Sequence, residues 1–114
     1  MSQHRKYRGY ATQKIVAEYL AANGWPYAES TGAGRSGTDI TGTPAIDWEV
    51  KARRNLNLVA LIDQMRERQQ DDVLSVAVVR PDGRGPATIA DWPAVVPLSD
   101  LTVLLREAGY GDHN

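Results

Sequence analysis

The chain has 114 residues, and its 42% hydrophobic and 24% charged content lies close to the globular average, so one folded domain covering residues 1–114 is expected. It has no cysteine, which excludes disulfide staples, thiol catalysis and thiolate zinc sites. Its two histidines, His4 and His113, sit at opposite ends, so a histidine metal cluster or a Ser-His-Asp triad would need both termini to converge. Any metal must then be held by oxygen, which points to a hard cation such as Mg²⁺ or Mn²⁺. No apolar run approaches the ~20 residues that cross a bilayer, and the start, MSQHRKYRG, lacks the apolar stretch of a signal peptide. A soluble, intracellular protein without a membrane partner is expected.

The net charge of -1 hides an asymmetry: residues 1–54 hold eight Lys/Arg and five Asp/Glu, whereas residues 55–114 hold five and nine. In the basic half, Arg5, Lys6 and Arg8 form one cluster, Lys51, Arg53 and Arg54 another, and Arg35 lies between them in a glycine-rich loop. Each alone reads as solvated surface; brought onto one face, they would make a phosphate-binding surface.

In chain order, the spacing of Thr12, Ile15, Val16, Tyr19 and Leu20 predicts a helix over Tyr10–Asn23, stopped by Gly24. Trp25–Glu29 reads as a short strand, STGAGRSGT as a loop, and Asp39–Thr41 as a second extended piece. Gly42-Thr43-Pro44 turns the chain. Ala45–Lys51 alternates, with Ile46, Trp48 and Val50 toward a core and Asp47, Glu49 and Lys51 on a charged face. Asn57 caps a second helix with a Leu58, Leu61, Ile62, Met65 stripe that runs out near Gln70. Residues 73–79, VLSVAVV, read as a strand buried on both faces, ended by Pro81-Asp82-Gly83. Ala87–Ala90 reads as a further edge strand, and Ser99 as the cap of a last helix that carries Leu101, Leu104 and Leu105 and stops at Gly109.

Two motifs compete for a function. Gly32-Ala33-Gly34-Arg35-Ser36-Gly37 spells GxGxxG, but a dinucleotide-binding turn needs a helix beginning at its last glycine. Here Thr38-Asp39-Ile40-Thr41-Gly42-Thr43-Pro44 follows, whose β-branched residues, glycine and proline oppose a helix. The stronger constellation is Asp39 followed by Glu49-Val50-Lys51. Hydrolysis of a phosphodiester needs carboxylates for a divalent cation, activated water and a cationic group near the developing negative charge. Glu49 and Lys51, two apart on one strand, share a face, and the turn at 42–44 can fold Asp39 back beside them. The competing reading is an exposed strand face with a Glu–Lys pair. The chain uses ten Arg but only three Lys, so a lysine at this position suits a task that wants a compact ammonium.

Asp39, Glu49 and Lys51 read as D…ExK, and with the element order they resemble the PD-(D/E)xK nuclease superfamily. Over residues 5–79 the similarity is to archaeal-type and phage Holliday-junction resolvases: Arg8-Gly9 before the first helix, the STGAGRSG loop, Asp39-Ile40, and Glu49-Val50-Lys51-Ala52-Arg53-Arg54. The resemblance implies an α/β fold with a restriction-endonuclease-like αβββαβ core, a mixed central sheet flanked by helices, and here a C-terminal helix. It implies a Mg²⁺- or Mn²⁺-dependent DNA endonuclease, in which Asp39, Glu49 and the Val50 carbonyl hold the metal and Lys51 orients or activates the attacking water. Family members place a glutamate in the first helix; that place falls on Gln13, with Glu18 as the alternative. Gln64 matches a supporting glutamine, and Ser30 a loop serine. Arg5, Lys6, Arg8, Ser30, Arg35, Ser36, Arg53 and Arg54 are the expected DNA contacts. A four-way junction or other branched DNA is the implied substrate, a homodimer the implied assembly, and the cytoplasm of a bacterial, archaeal or phage-infected cell the implied location. Residues 86–110, with Trp92, Val95 and Val96, are the expected dimer surface. A restriction- or repair-type nuclease, or a catalytically weak DNA-binding subunit with a nuclease fold, are the alternatives.

Overall fold

The computed structural model describes residues 3–32, 37–52 and 55–112. A first helix α1 spans Gln3–Ala22, followed by the short strands β1, Glu29–Ser30, and β2, Ile40–Thr41. Strand β3, Ile46–Lys51, leads to helix α2, Leu58–Glu67, and to strand β4, Leu74–Val79. A 3-10 turn at Pro86–Asp91, strand β5 at Ala94–Val95 and helix α3 at Leu98–Glu107 complete the chain.

The result is an α/β fold with a mixed sheet and flanking helices. β3 pairs in parallel with β4, Ile46 opposite Leu74 through Lys51 opposite Val79, and β4 pairs antiparallel with β5. β1 and β2 form a separate two-stranded antiparallel ribbon. A parallel pair needs a crossover, and α2 supplies it. Its start follows the sequence: Asn57 is extended and its side-chain oxygen accepts the Ala60 N–H at 3.1 Å.

Because side chains alternate along a strand, the sheet offers two faces, and both are covered. On one, Val16, Ala17 and Leu20 of α1 pack with Ile40, Trp48, Val76, Val78 and Trp92. On the other, Leu61 and Met65 of α2 pack on Ala77, with Leu56, Val79 and Val95 around them. The face of β3 expected to be simply charged therefore lies beneath α2, and Glu49 is 9% exposed.

Several boundaries differ from expectation. α1 begins at Gln3 rather than Tyr10, and residues 25–28 form turns rather than a strand, with Ala28 N–H donating to the Trp25 carbonyl. The expected strand at Ala87–Ala90 is a 3-10 turn: Pro86 opens it, and the Thr88 hydroxyl bonds the Gly85 carbonyl and accepts from the Trp92 indole. The edge strand comes later, at β5. Pro97, not Ser99, occupies the cap position of α3, which has no side-chain cap. Trp92 is buried in the first core, while Val96 and Val95 pack against the first and second cores, so these three are not spare dimer surface. Exposed apolar residues in this part of the chain are on α3, namely Leu98, Leu101, Val103, Leu104 and Leu105, and α2 adds Leu58, Val59 and Ile62.

The turn between β2 and β3 positions everything that follows. Gly42 has φ +81°, and a Cβ there would sit 1.9 Å from the Tyr27 carbonyl oxygen. Both the left-handed backbone and the close approach exclude a side chain. Thr43 is buried, its hydroxyl accepting the Trp48 indole N–H at 2.9 Å, which pins the turn to β3. Gly42→Ala is expected to cost about 1–2 kcal/mol for the backbone alone, with the clash adding to it. A urea midpoint equal to that of the parent protein would contradict this account of the turn.

Candidate active site

In the parallel ladder, Ala45 and Lys51 give their carbonyls to Leu74 N–H and Arg80 N–H, each at 2.8 Å. Backbone groups of successive residues point to opposite edges. The even-numbered residues of β3 therefore turn theirs away from β4, toward the 38–41 segment. There Trp48 accepts the Asp39 N–H at 2.9 Å and donates its own N–H to the Thr38 hydroxyl at 2.9 Å. Val50 donates its N–H to the Asp39 carboxylate, Oδ2, at 2.7 Å. The Val50 carbonyl projects from that same edge. The expected folding-back of Asp39 onto the Glu49-Val50-Lys51 strand is what the structure shows.

Glu49 and Lys51 share the α2 face of β3, and the Lys51 ammonium lies 2.9 Å from Glu49 Oε1, with both side chains largely buried. Gln64 reaches the same oxygen from α2, its amide donating at 3.2 Å. Gln64, expected as a supporting glutamine, is thus placed in direct contact with Glu49. Arg68, one turn further along, places one guanidinium nitrogen on Glu49 Oε2 and the other on Asp47 Oδ1. The competing picture of an exposed Glu–Lys pair does not hold, since the pair is enclosed and Glu49 has three donors.

Sequence reading missed Asp47 and Arg68. The signal was present in the spacing: Asp47 is two residues from Glu49 on the same strand face, and Arg68 is four residues from Gln64 on the same helix stripe.

Burial pushes the Asp39 carboxyl above its usual value of 3.8, the Glu49 charge pushes the same way, and the Val50 N–H, Arg68 and Lys51 pull against them. The Asp39 carboxylate therefore lies close enough to feel Glu49, Lys51 and Arg68 together, although among the described residues its hydrogen bond is to the Val50 N–H.

The donor chemistry fits a hard cation. Asp39 and Glu49 supply carboxylate oxygens, and Val50 offers a carbonyl on the Asp39 side. In α1, the Gln13 side-chain oxygen is buried and finds no hydrogen-bond partner among the described residues. A buried acceptor without a donor is costly, and a cation would satisfy it. Glu18, the alternative in α1, is exposed. Among the described residues no group of three or more His, Cys, Asp or Glu side chains gathers in metal-binding geometry, so the set would be mixed oxygen rather than all carboxylate.

The expected DNA contacts are placed only in part. Ser30 lies in β1 opposite Ile40, next to Thr31, whose N–H bonds the Asp39 carbonyl at 3.0 Å. Arg5, Lys6 and Arg8 fall on the first turns of α1, with their side chains outside the described part. Arg35, Ser36, Arg53 and Arg54 lie outside the described residues. After Gly37 the chain enters β2 rather than a helix, so the GxGxxG spelling has no helix N-terminus behind it.

The raised Asp39 carboxyl gives a pH prediction. The folded protein holds this proton more tightly than the unfolded chain does, so Asp39's contribution to stability falls as pH rises through the window above 3.8. Asp39→Asn removes the buried charge while keeping an acceptor for Val50 N–H. It is expected to melt higher than the parent at pH 7, with the gap closing as pH falls toward about 4. A gap independent of pH, or one of opposite sign, would contradict the burial argument.

No known family model matches the chain, and none of the curated proteins or solved structures matches it either.

Proposed function

We propose that the protein is a metal-dependent DNA endonuclease of the PD-(D/E)xK type, built on a restriction-endonuclease-like core. One observation carries the reading: the Asp39 carboxylate is fastened to the Val50 N–H at 2.7 Å, between Glu49 and Lys51, which themselves touch at 2.9 Å. Two acids and a lysine are thereby gathered by the alternation of one strand and by a bond to its backbone rather than by chance surface proximity.

Asp39, Glu49, the Val50 carbonyl and Gln13 are the groups that would hold Mg²⁺ or Mn²⁺. When bound, such an ion supplies Lewis-acid charge at the scissile phosphate and makes water more acidic. Lys51 gives one of its three N–H donors to Glu49, and a further donor of the same ammonium would orient the attacking water or a phosphate oxygen. In-line attack on phosphorus then breaks the P–O3′ bond, leaving 5′-phosphate and 3′-hydroxyl ends.

Branched DNA, a four-way junction above all, is the favoured substrate. Symmetrical cutting of two strands requires two sites, hence a homodimer, for which the exposed leucines of α3 offer apolar surface. A second reading, a DNA-binding or assembly subunit with little turnover, is favoured by the first helix offering Gln13 in place of an acid.

A cleavage panel separates these readings. Nicking of a junction, flap, duplex or single strand is expected with Mg²⁺ or Mn²⁺ and is expected to vanish with chelator; full nicking in excess EDTA would sink the metal-dependent reading. Junction binding at least ~10-fold tighter than duplex binding, a gap of ~1.4 kcal/mol, supports the branched substrate, and equal affinity removes it. Binding of DNA and metal without cleavage under any condition selects the second reading.

The roles of the two strand residues also differ. Glu49→Gln should weaken both metal binding and turnover, whereas Lys51→Ala should spare metal binding and lower turnover by roughly 10²-fold or more. Calorimetry showing the reverse pattern would overturn the assignment.

A further inference from the structure

Arg68 stands at the C-terminal cap of α2, where the helix dipole favours a cation. Its fork spans Asp47 and Glu49, two residues apart on one face of β3, and the three side chains are 25%, 17% and 12% exposed. Glu49 thus has one oxygen shared by Lys51 and Gln64 and the other held by Arg68. The space on the Arg68 side is a cleft of about 10 Å³ lined by Asp47, Glu49, Met65, Arg68, Ser75 and Val76. That volume accommodates about one water and no hydrated ion.

Two consequences follow from charge and space. In the metal-free protein, Arg68 and Lys51 together neutralise a carboxylate that would otherwise be buried with a net charge. A divalent ion brought to Glu49 meets the repulsion of that guanidinium, and Arg68 must loosen its hold on Oε2 before the full charge of Glu49 is available. Asp47 changes the cost of that step. Because the fork already rests on Asp47, Arg68 can leave Glu49 without becoming an unpaired buried cation.

We propose that Arg68 is a positioning residue that acts as the site's internal counter-cation: it neutralises Glu49 while no metal is bound and is retained by Asp47 when a divalent ion takes Glu49 over. The inference rests on the metal-dependent reading above and adds to it what sets the affinity of the site. Arg68 touches neither substrate nor metal; it works through Glu49.

The two residues of the brace carry opposite expectations for Mn²⁺, the probe used. Removing the competing charge in Arg68→Met should tighten Mn²⁺ binding at least tenfold by calorimetry. It should also lower the melting temperature in EDTA and make the rise in melting temperature on adding Mn²⁺ larger than in the parent. Arg68→Lys, which keeps the charge, should stay near the parent affinity. Asp47→Asn, which leaves Arg68 to Glu49 alone, should weaken Mn²⁺ binding. If Arg68→Met does not fold, the Asp47→Asn, Arg68→Met double variant, which removes the charge of Asp47 together with that of its partner, should still bind Mn²⁺ more tightly than Asp47→Asn.

Weaker Mn²⁺ binding by Arg68→Met, or by the double variant relative to Asp47→Asn, would overturn the counter-cation role while leaving the metal site standing. Loss of stability in Arg68→Met with unchanged Mn²⁺ affinity would show Arg68 to be structural only and likewise overturn it. Failure of the parent and every variant to respond to Mn²⁺, by heat or by melting temperature, would overturn both this role and the metal-dependent reading.

Discussion

The hydrogen bond from Val50 N–H to Asp39 Oδ2 is the constraint on which the site depends. It exists because β3 gives its odd-numbered backbone groups to β4 and leaves its even-numbered groups facing the other way. A conventional sheet would add a neighbouring strand along that edge. Here, among the described residues, the turn's Thr43 carbonyl takes the Ile46 N–H, and Thr38 and Asp39 reach Trp48 and Val50, one through its hydroxyl and the other through its N–H and its carboxylate. Side chains thus complete part of the edge of β3, and the acid that does so is held beside the strand that carries Glu49 and Lys51.

That arrangement explains how a charged cluster is tolerated against a small core. Asp47, Glu49, Lys51, Gln64 and Arg68 form a connected set in which each Glu49 oxygen has a donor. Such a network is worth little to stability compared with apolar packing of the same volume, yet breaking one member strands the rest. Asp39 shows the residual cost, since burial and the nearby Glu49 hold its carboxyl above the usual range despite the Val50 bond. Stability is left unclaimed at the position where chemistry is proposed, a pattern common at functional sites.

Much of this was legible in the sequence because it rests on period and punctuation. The alternation of residues 45–51 correctly put Glu49 and Lys51 on one face, Asn57 correctly marked the start of α2, and Gly42-Thr43-Pro44 correctly marked the turn that returns Asp39. What failed did so for local and for tertiary reasons. At Ala87–Ala90 the strand reading gave too little weight to Pro86, which opens a 3-10 turn that the Thr88–Gly85 and Thr88–Trp92 bonds then hold. Trp92, Val95 and Val96 looked surplus because the sequence does not say that the segment after β4 folds back over both cores. The partners of Glu49 on α2 were half visible: Gln64 stood out as an amide at a plausible place, while Arg68 was one charge among several on a helix.

Helix α2 shows why that second half matters. Leu61 and Met65, four apart, form the stripe that packs on Ala77, and Gln64 and Arg68, also four apart, form the stripe that reaches Glu49. The stripes are offset by three residues, so they lie side by side on one surface of the helix. Ala77, fully buried opposite Glu49 in the β3–β4 register, leaves the apolar stripe room to approach the sheet, and that approach sets how far the polar stripe extends over β3. A larger side chain at 77 would lift the helix and draw Gln64 and Arg68 away from Glu49 even though it touched neither. The packing of the second core and the electrostatics of the site are therefore one geometric condition, fixed by where a single helix sits on a single strand pair.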